Sequence, residues 1–155
     1  MNLGAPIIVG DGAGPTAAFI NSGTFNLTSD AAGILVNPSG AATFTNGLGT
    51  LEKTGGTGTS HFLAGTSSSA TISIATGALE FDGPTNTLGG TISGMGTVAF
   101  GAGQTQIQIN PTVANFLIDG GAVTFTPNLN YVGNFAETSG VLTLSGTTPD
   151  RKSVV

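Results

Sequence analysis

One short motif returns along this chain at nearly constant distance, and any fold must account for that return. The motif is Gly, small residue, apolar residue, polar or small residue, then Phe. It reads GAATF (40–44), GTSHF (58–62), GALEF (77–81), GTVAF (96–100), GAVTF (121–125) and GVLTL (140–144), with a weaker copy, NSGTF, at 21–25. The final residues are Phe25, Phe44, Phe62, Phe81, Phe100, Phe125 and Leu144, at intervals of 19, 18, 19, 19, 25 and 19. Six of the nine Phe residues stand in this series, so the repeat uses most of the aromatic content.

Side chains alternate within each copy, as in a strand buried on one side. One face reads Leu79/Phe81, Val98/Phe100, Val123/Phe125 and Leu142/Leu144; the other reads Ala78/Glu80, Thr97/Ala99, Ala122/Thr124 and Val141/Thr143. A second apolar column is expected seven residues after the Phe, at Leu51, Leu88, Ile107 and Val132, with Ser69 in the equivalent place of the coil that buries Ile72 and Ile74. Ile92 and Phe135 suggest a third face. Turn formers separate the strands: Asn46-Gly47, Asp82-Gly83-Pro84, Gly101-Ala102-Gly103 and Pro127-Asn128. No breaker-free window carries a 3.6-residue apolar stripe, so helix is expected to be almost absent.

An antiparallel sandwich also uses short strands and turns, but gives each strand its own environment. A solenoid stacks equivalent coils and so calls for one motif to recur. The expectation is an all-β, right-handed parallel β-helix of about 19 residues per coil and about seven coils, roughly 34 Å long. The Phe residues should form one internal ladder. Gly40, Gly58, Gly77, Gly96, Gly121 and Gly140 should form one column of turns. The 25-residue step from Phe100 to Phe125 calls for a six-residue excursion near Asn110-Pro111 that returns through Phe116-Leu117-Ile118. Residues 1–20 read as a partial coil or lead-in, 21–146 as solenoid and 147–155 as a disordered tail.

Composition narrows the function classes. Charged residues make up 7% of the chain, against about 25% in ordinary globular proteins. Apolar residues make up 39%, enough for a core, so a disordered polyelectrolyte is a poor fit. Net charge is −5, and the three basic residues are Lys53, Arg151 and Lys152. A nucleic-acid footprint needs a cationic patch, and no such patch exists. Without Cys there are no disulfides, no thiolate chemistry and no Cys-ligated metal. No apolar run reaches 18 residues, so no transmembrane helix is expected. The first residues lack the regions of a signal peptide. An export signal, if used, is expected outside this chain. Asp150-Arg151-Lys152-Ser153-Val154-Val155 breaks the composition and resembles the in-frame translation of a sequencing-adaptor sequence. On that reading the natural protein continues past about Thr148.

The repeats resemble autotransporter passenger repeats and the filamentous-haemagglutinin class of β-helical adhesins. The resemblance is carried by GLGTLEKTGGTGTSHFLAG (47–65), GGTISGMGTVAFGAGQTQI (89–107) and GGAVTFTPNLNYVGNFAETSGVLTLSG (120–146), and spans about 21–146. It implies an exported scaffold at the cell surface, associated with the outer membrane. Adjacent repeats of the same parent chain would be its partners, with carbohydrate or a host surface as the contact.

Few residues carry candidate chemistry. His61, the lone His, should face outward beside Glu80 of the next coil as a surface pair. A metal site would need further converging ligands, so no metal or cofactor is expected. Glu80 and Asp82 flank Phe81 and are the only candidates for an acid pair in a polysaccharide-active β-helix enzyme. Such sites usually add Lys or Arg to stabilise anionic charge, and none stands nearby, so no catalytic residue is expected. Gly55-Gly56-Thr57-Gly58 lacks the Asp of a calcium-binding nonapeptide, and Gly10–Pro15 has no helix after it to hold phosphate; both read as turns. Thr43/Thr45, Thr57/Thr59, Thr85/Thr87 and Thr124/Thr126 could order water on an ice-binding face. They do not share one register relative to Phe, which argues against a flat array. The expected function is a structural and adhesive surface module; the alternatives are a polysaccharide-active enzyme and an ice-binding solenoid.

Overall fold

A computed structural model of the chain describes residues 1–10, 16–36 and 41–146. Among them there is no helix. The strands, in chain order, are β1 (Asn2–Leu3), β2 (Pro6–Val9), β3 (Ala17–Asn21), β4 (Thr24–Leu27), β5 (Gly33–Val36), β6 (Ala42–Asn46), β7 (Thr50–Lys53) and β8 (Thr59–Phe62). They continue as β9 (Gly65–Ser68), β10 (Thr71–Ile74), β11 (Ala78–Phe81), β12 (Thr85–Leu88), β13 (Ile92–Phe100), β14 (Gln104–Ile107), β15 (Thr112–Phe125) and β16 (Asn134–Leu144). Every pairing between them is parallel and joins one coil to the next, as in a β-solenoid.

The strands stack into three walls. The first wall runs β1, β4, β7, β10, then the starts of β13 and β15. The second runs β2, β5, β8, β11, then parts of β13, β15 and β16. The third runs β3, β6, β9, β12, β14 and the ends of β15 and β16. The segment read as a lead-in thus supplies a strand to each wall. The tail at 147–155 lies outside the described residues.

The Phe series is buried but is not one ladder on one wall. Phe62, Phe81 and Phe100 are register partners on the second wall. Phe25 is on the first wall, opposite Leu51. Phe44 is on the third wall between Phe19 and Thr66, and Phe125 is there too, in a different column between Ile107 and Leu144. The pentad marks any strand that turns a Phe inward, and three walls satisfy it. Phe25 to Phe44 crosses two walls within one coil, whereas Phe62 to Phe81 is a true coil step. Rings from different walls still meet in the core. Centroids lie 5.6 Å apart for Phe25–Phe44, 5.1 Å for Phe44–Phe62, 5.9 Å for Phe62–Phe81 and for Phe81–Phe100. Phe116, outside the series, links Phe100 to Phe125 at 5.1 and 5.4 Å. Leu144, on the last strand, is 55% exposed, so the buried file stops before it.

The wall assignment also removes the expected excursion near Asn110-Pro111. Phe100 pairs with Ile118 one coil on, and Phe125 lies on the next wall, so the 25-residue step is a coil plus a wall. Asn110-Pro111 lie in the short turn between β14 and β15, and β15 then runs from Thr112 through Phe116-Leu117-Ile118 to Phe125. Of the second apolar column, Leu88 and Ile107 pair on the third wall, Leu51 belongs to the first, and Val132 is 93% exposed. Ser68, not Ser69, takes the buried place opposite Leu88. Ile92 lies on the first wall and Phe135 on the second, so they do not define a third face.

The glycines likewise divide between two corners. Gly58, Gly77 and Gly96 follow one another where the first wall meets the second; the Ala78 amide donates to Gly58 O and the Thr97 amide to Gly77 O, each at 2.9 Å. Gly121 and Gly140 sit where the second wall meets the third, and Gly40 is outside the described residues. Gly77, at φ +62°, needs the left-handed region, and a Cβ there would also meet Gly58 O at 2.4 Å.

Polar residues occupy part of the interior. Asn21 donates from Nδ2 to Asn46 Oδ1 at 2.9 Å, and Asn46 donates to Ser68 Oγ at 3.1 Å, a buried ladder along the third wall. Lys53 stands in an interior column with Leu27 and Ile74, fully buried. Its Nζ donates to Asp30 Oδ1 at 3.0 Å, Gly55 O at 2.8 Å and Ser60 Oγ at 3.2 Å, using all three ammonium protons.

Candidate functional site

Two surfaces carry chemistry. The first is the outer side of the third wall. Strand alternation points one residue of each inward pair to the core and the next to solvent. Parallel register then stacks the outward residues about 4.8 Å apart. One outward column reads Ile20, Thr45, Ser67, Thr87, Gln106, Thr124 and Thr143. Its neighbour reads Ala18, Thr43, Gly65, Thr85, Gln104, Ala122 and Val141. Neither column contains a charged residue. Thr43/Thr45 and Thr85/Thr87 therefore do share one register, contrary to the count from Phe. That count failed because Phe44 and Phe81, its reference points, are on different walls. Thr59 is on the second wall, so Thr57/Thr59 does not join the array. A shallow depression of about 320 Å³ lies along Thr85, Thr87, Gln104, Gln106 and Thr124.

The second surface is at the edge of the second wall. β8 and β11 pair with Glu80 opposite His61, as the register of the repeat required. The His61 Nδ1 to Glu80 Oε2 distance is 3.6 Å. The closer partner is Asp82, whose Oδ2 lies 2.8 Å from the same nitrogen. Sequence position sets Asp82 beside Glu80 as an acid pair, whereas the corner makes it the nearer partner of His61. Its position just past the strand end turns its carboxylate back toward the ring. Asp119 follows Ile118, the register partner of Phe100, and brings a third carboxylate near Glu80. This residue was missed because its wall is known only once the 25-residue step is understood.

Burial pushes the Glu80 carboxyl up to about 7, and the negative charges of Asp82 and Asp119 add to the effect, while His61 opposes it. The folded state therefore holds a proton on Glu80 that the unfolded chain releases near pH 4.5. Stability from this group is full at pH below that value and falls as pH rises through 7. Urea titrations in chelator should show that decline, and Glu80→Gln should flatten it. An unchanged slope in the variant would contradict the assignment. Asp30 behaves oppositely. The Lys53 hydrogen bond, then the Gly58 amide, hold its carboxyl below the ordinary range.

Neither surface carries an arginine among the described residues, and Lys53 is consumed in the core. The turn at Gly55–Gly58 closes around Asp30, its Gly56 at φ +76°. It serves the Lys53 contact, as a turn and not an ion loop. No helix is long and apolar enough to cross a membrane among the described residues. No family model, no curated protein and no solved structure matches the chain.

Proposed function

We propose that the chain is a non-enzymatic structural and adhesive module of an exported bacterial surface protein, and that its third wall contacts neutral carbohydrate. The single supporting observation is the uncharged hydroxyl and amide array of that wall, in register over successive coils. Sugar hydroxyls exchange hydrogen bonds with Thr, Ser and Gln side chains without any need for charge. A rigid parallel scaffold holds those groups in place before contact, which reduces the ordering cost of binding. Anionic polymers fit poorly, since the wall offers no cation. The similarity of the repeats to passenger and haemagglutinin-type segments supports a cell-surface location.

The test is sedimentation of the purified chain with insoluble neutral polysaccharides, cellulose and chitin among them. The variant Thr45→Glu/Thr87→Glu/Thr124→Glu should lose at least about tenfold in affinity, roughly 1.4 kcal/mol, while its melting temperature holds. Ser73→Glu, on the outer side of the first wall, should bind as the parent does. Equal retention of all three proteins would sink the reading. Ice binding has one specific observation in its favour, the alignment of Thr43/Thr45 with Thr85/Thr87. Gly65, Gln104 and Ala122 interrupt that array, which favours carbohydrate; thermal hysteresis of the same protein decides between them.

A further inference from the structure

We propose that His61, Glu80 and Asp82 bind one divalent transition-metal ion, with Zn²⁺ the best match by ligand chemistry. One imidazole nitrogen and two carboxylate oxygens, from three positions on two adjacent coils, lie within 4.8 Å of one another. Zn²⁺ bound at about 2.0–2.2 Å to nitrogen and oxygen sets tetrahedral ligand atoms roughly 3.3 Å apart. The separations from His61 Nδ1, 2.8 Å to Asp82 and 3.6 Å to Glu80, bracket that spacing. Small side-chain rotations would suffice to admit the ion.

Two further features point to a cation. Gly101 lies one coil below Asp82, and a Cβ there would stand 2.0 Å from Glu80 Oε1 and 2.5 Å from Asp82 Oδ1. The glycine leaves a cradle into which both carboxylates converge. Asp119 adds a buried Oδ1 with no hydrogen-bond partner on the same side of the coil stack. Two carboxylates thus face one His, with the Asp119 charge acting on Glu80 and no Lys or Arg beside them among the described residues. Like charges brought together under partial burial are relieved either by a proton on one of them or by a bound cation. His61 is about half exposed, so a fourth position would face water.

The chain is well suited to a test, because it has one His and no Cys. The full chain, stripped with chelator, is titrated with Zn²⁺ by calorimetry and with Co²⁺ by visible absorption, and the single His ring resonance is followed by NMR. The expected result is one saturable equivalent, with the His61 resonance shifting on Zn²⁺ addition. His61→Ala and Asp82→Asn should each weaken binding at least about tenfold, since even indirect partners of a metal ligand are worth that much. His61 is about half exposed and Asp82 partly exposed, and circular dichroism establishes that the variants are folded. Absence of saturable binding, or binding that His61→Ala leaves unchanged, would overturn the proposal. So would saturation without any shift of the His61 resonance.

Discussion

Phe81→Ala should destabilise the protein by about 3–5 kcal/mol, the range for removing a fully buried aromatic ring. Phe81 is wholly buried, with Phe62 and Phe100 on either side at 5.9 Å. In a stack where each coil touches only its neighbours, the loss falls on two interfaces at once. The cavity cannot collapse easily, because the backbone ladders on both sides fix the coil spacing. Phe81→Leu keeps most of the volume and should cost less than half as much. Phe135→Ala is the contrast: that ring stacks on Phe116 at 5.4 Å but is 39% exposed on the last strand. Urea midpoints by circular dichroism at constant slope measure all three. A Phe81→Ala midpoint no lower than that of Phe135→Ala would show that the rings do not form a continuous core.

The second large effect concerns Lys53. An ammonium in an interior column is tolerable only because Asp30, Gly55 and Ser60 take its three protons. Removing one partner leaves a buried charge without compensation, whereas replacing the charge with an apolar group of similar shape does not. Asp30→Ala should therefore lower the urea midpoint substantially. Lys53→Met, which fits between Leu27 and Ile74, should stay within about 1 kcal/mol of the parent or exceed it. The double variant should lie close to Lys53→Met, since Asp30 at the surface then loses only its backbone partners at Thr57 and Gly58. In the parent, the Asp30 contribution is present above about pH 4 and fades as pH falls through its lowered folded value. Lys53→Met should reduce that part of the acid sensitivity, leaving what the Gly58 and Thr57 amides contribute. A Lys53→Met variant as unstable as Asp30→Ala would mean that the lysine stem, not its charge pair, supports the coil.

Both results bear on how the surface is held. Lys53 and the Asn21–Asn46–Ser68 ladder lie near the corners that position the first and third walls. The hydroxyl array on the third wall depends on those corners for its register. A one-residue slip would turn Thr45 or Thr87 inward and an Asn or Leu outward. The His61 cluster depends instead on the regular 19-residue steps of Phe62, Phe81 and Phe100. That local regularity is why the pairing of His61 with Glu80 was legible before any coordinates. Asp82 and Asp119 were harder to place. Asp82 lies just beyond the end of β11, and Asp119 lies inside β15 where the register shifts at the corner, so in both the direction of the side chain is set by the corner and not by alternation.

Local pattern was enough to establish the class of structure. Alternation of apolar and polar residues, turn formers at strand ends and a recurring pentad are short-range properties, and together they require inward-facing strands in a stack of coils. Which wall each strand joins is a long-range property. It depends on corner lengths, and these vary: Ile34 to Phe62 is one coil of 28 residues, while Phe100 to Ile118 is one of 18. Equal spacing in sequence therefore did not mean equal position in space. Phe25, Phe44 and Phe125 left the expected ladder, Thr43/Thr45 and Thr85/Thr87 came into line, and Lys53 turned into the core. Those outcomes were decided by tertiary packing, because only closure of each coil on the next determines where a residue points.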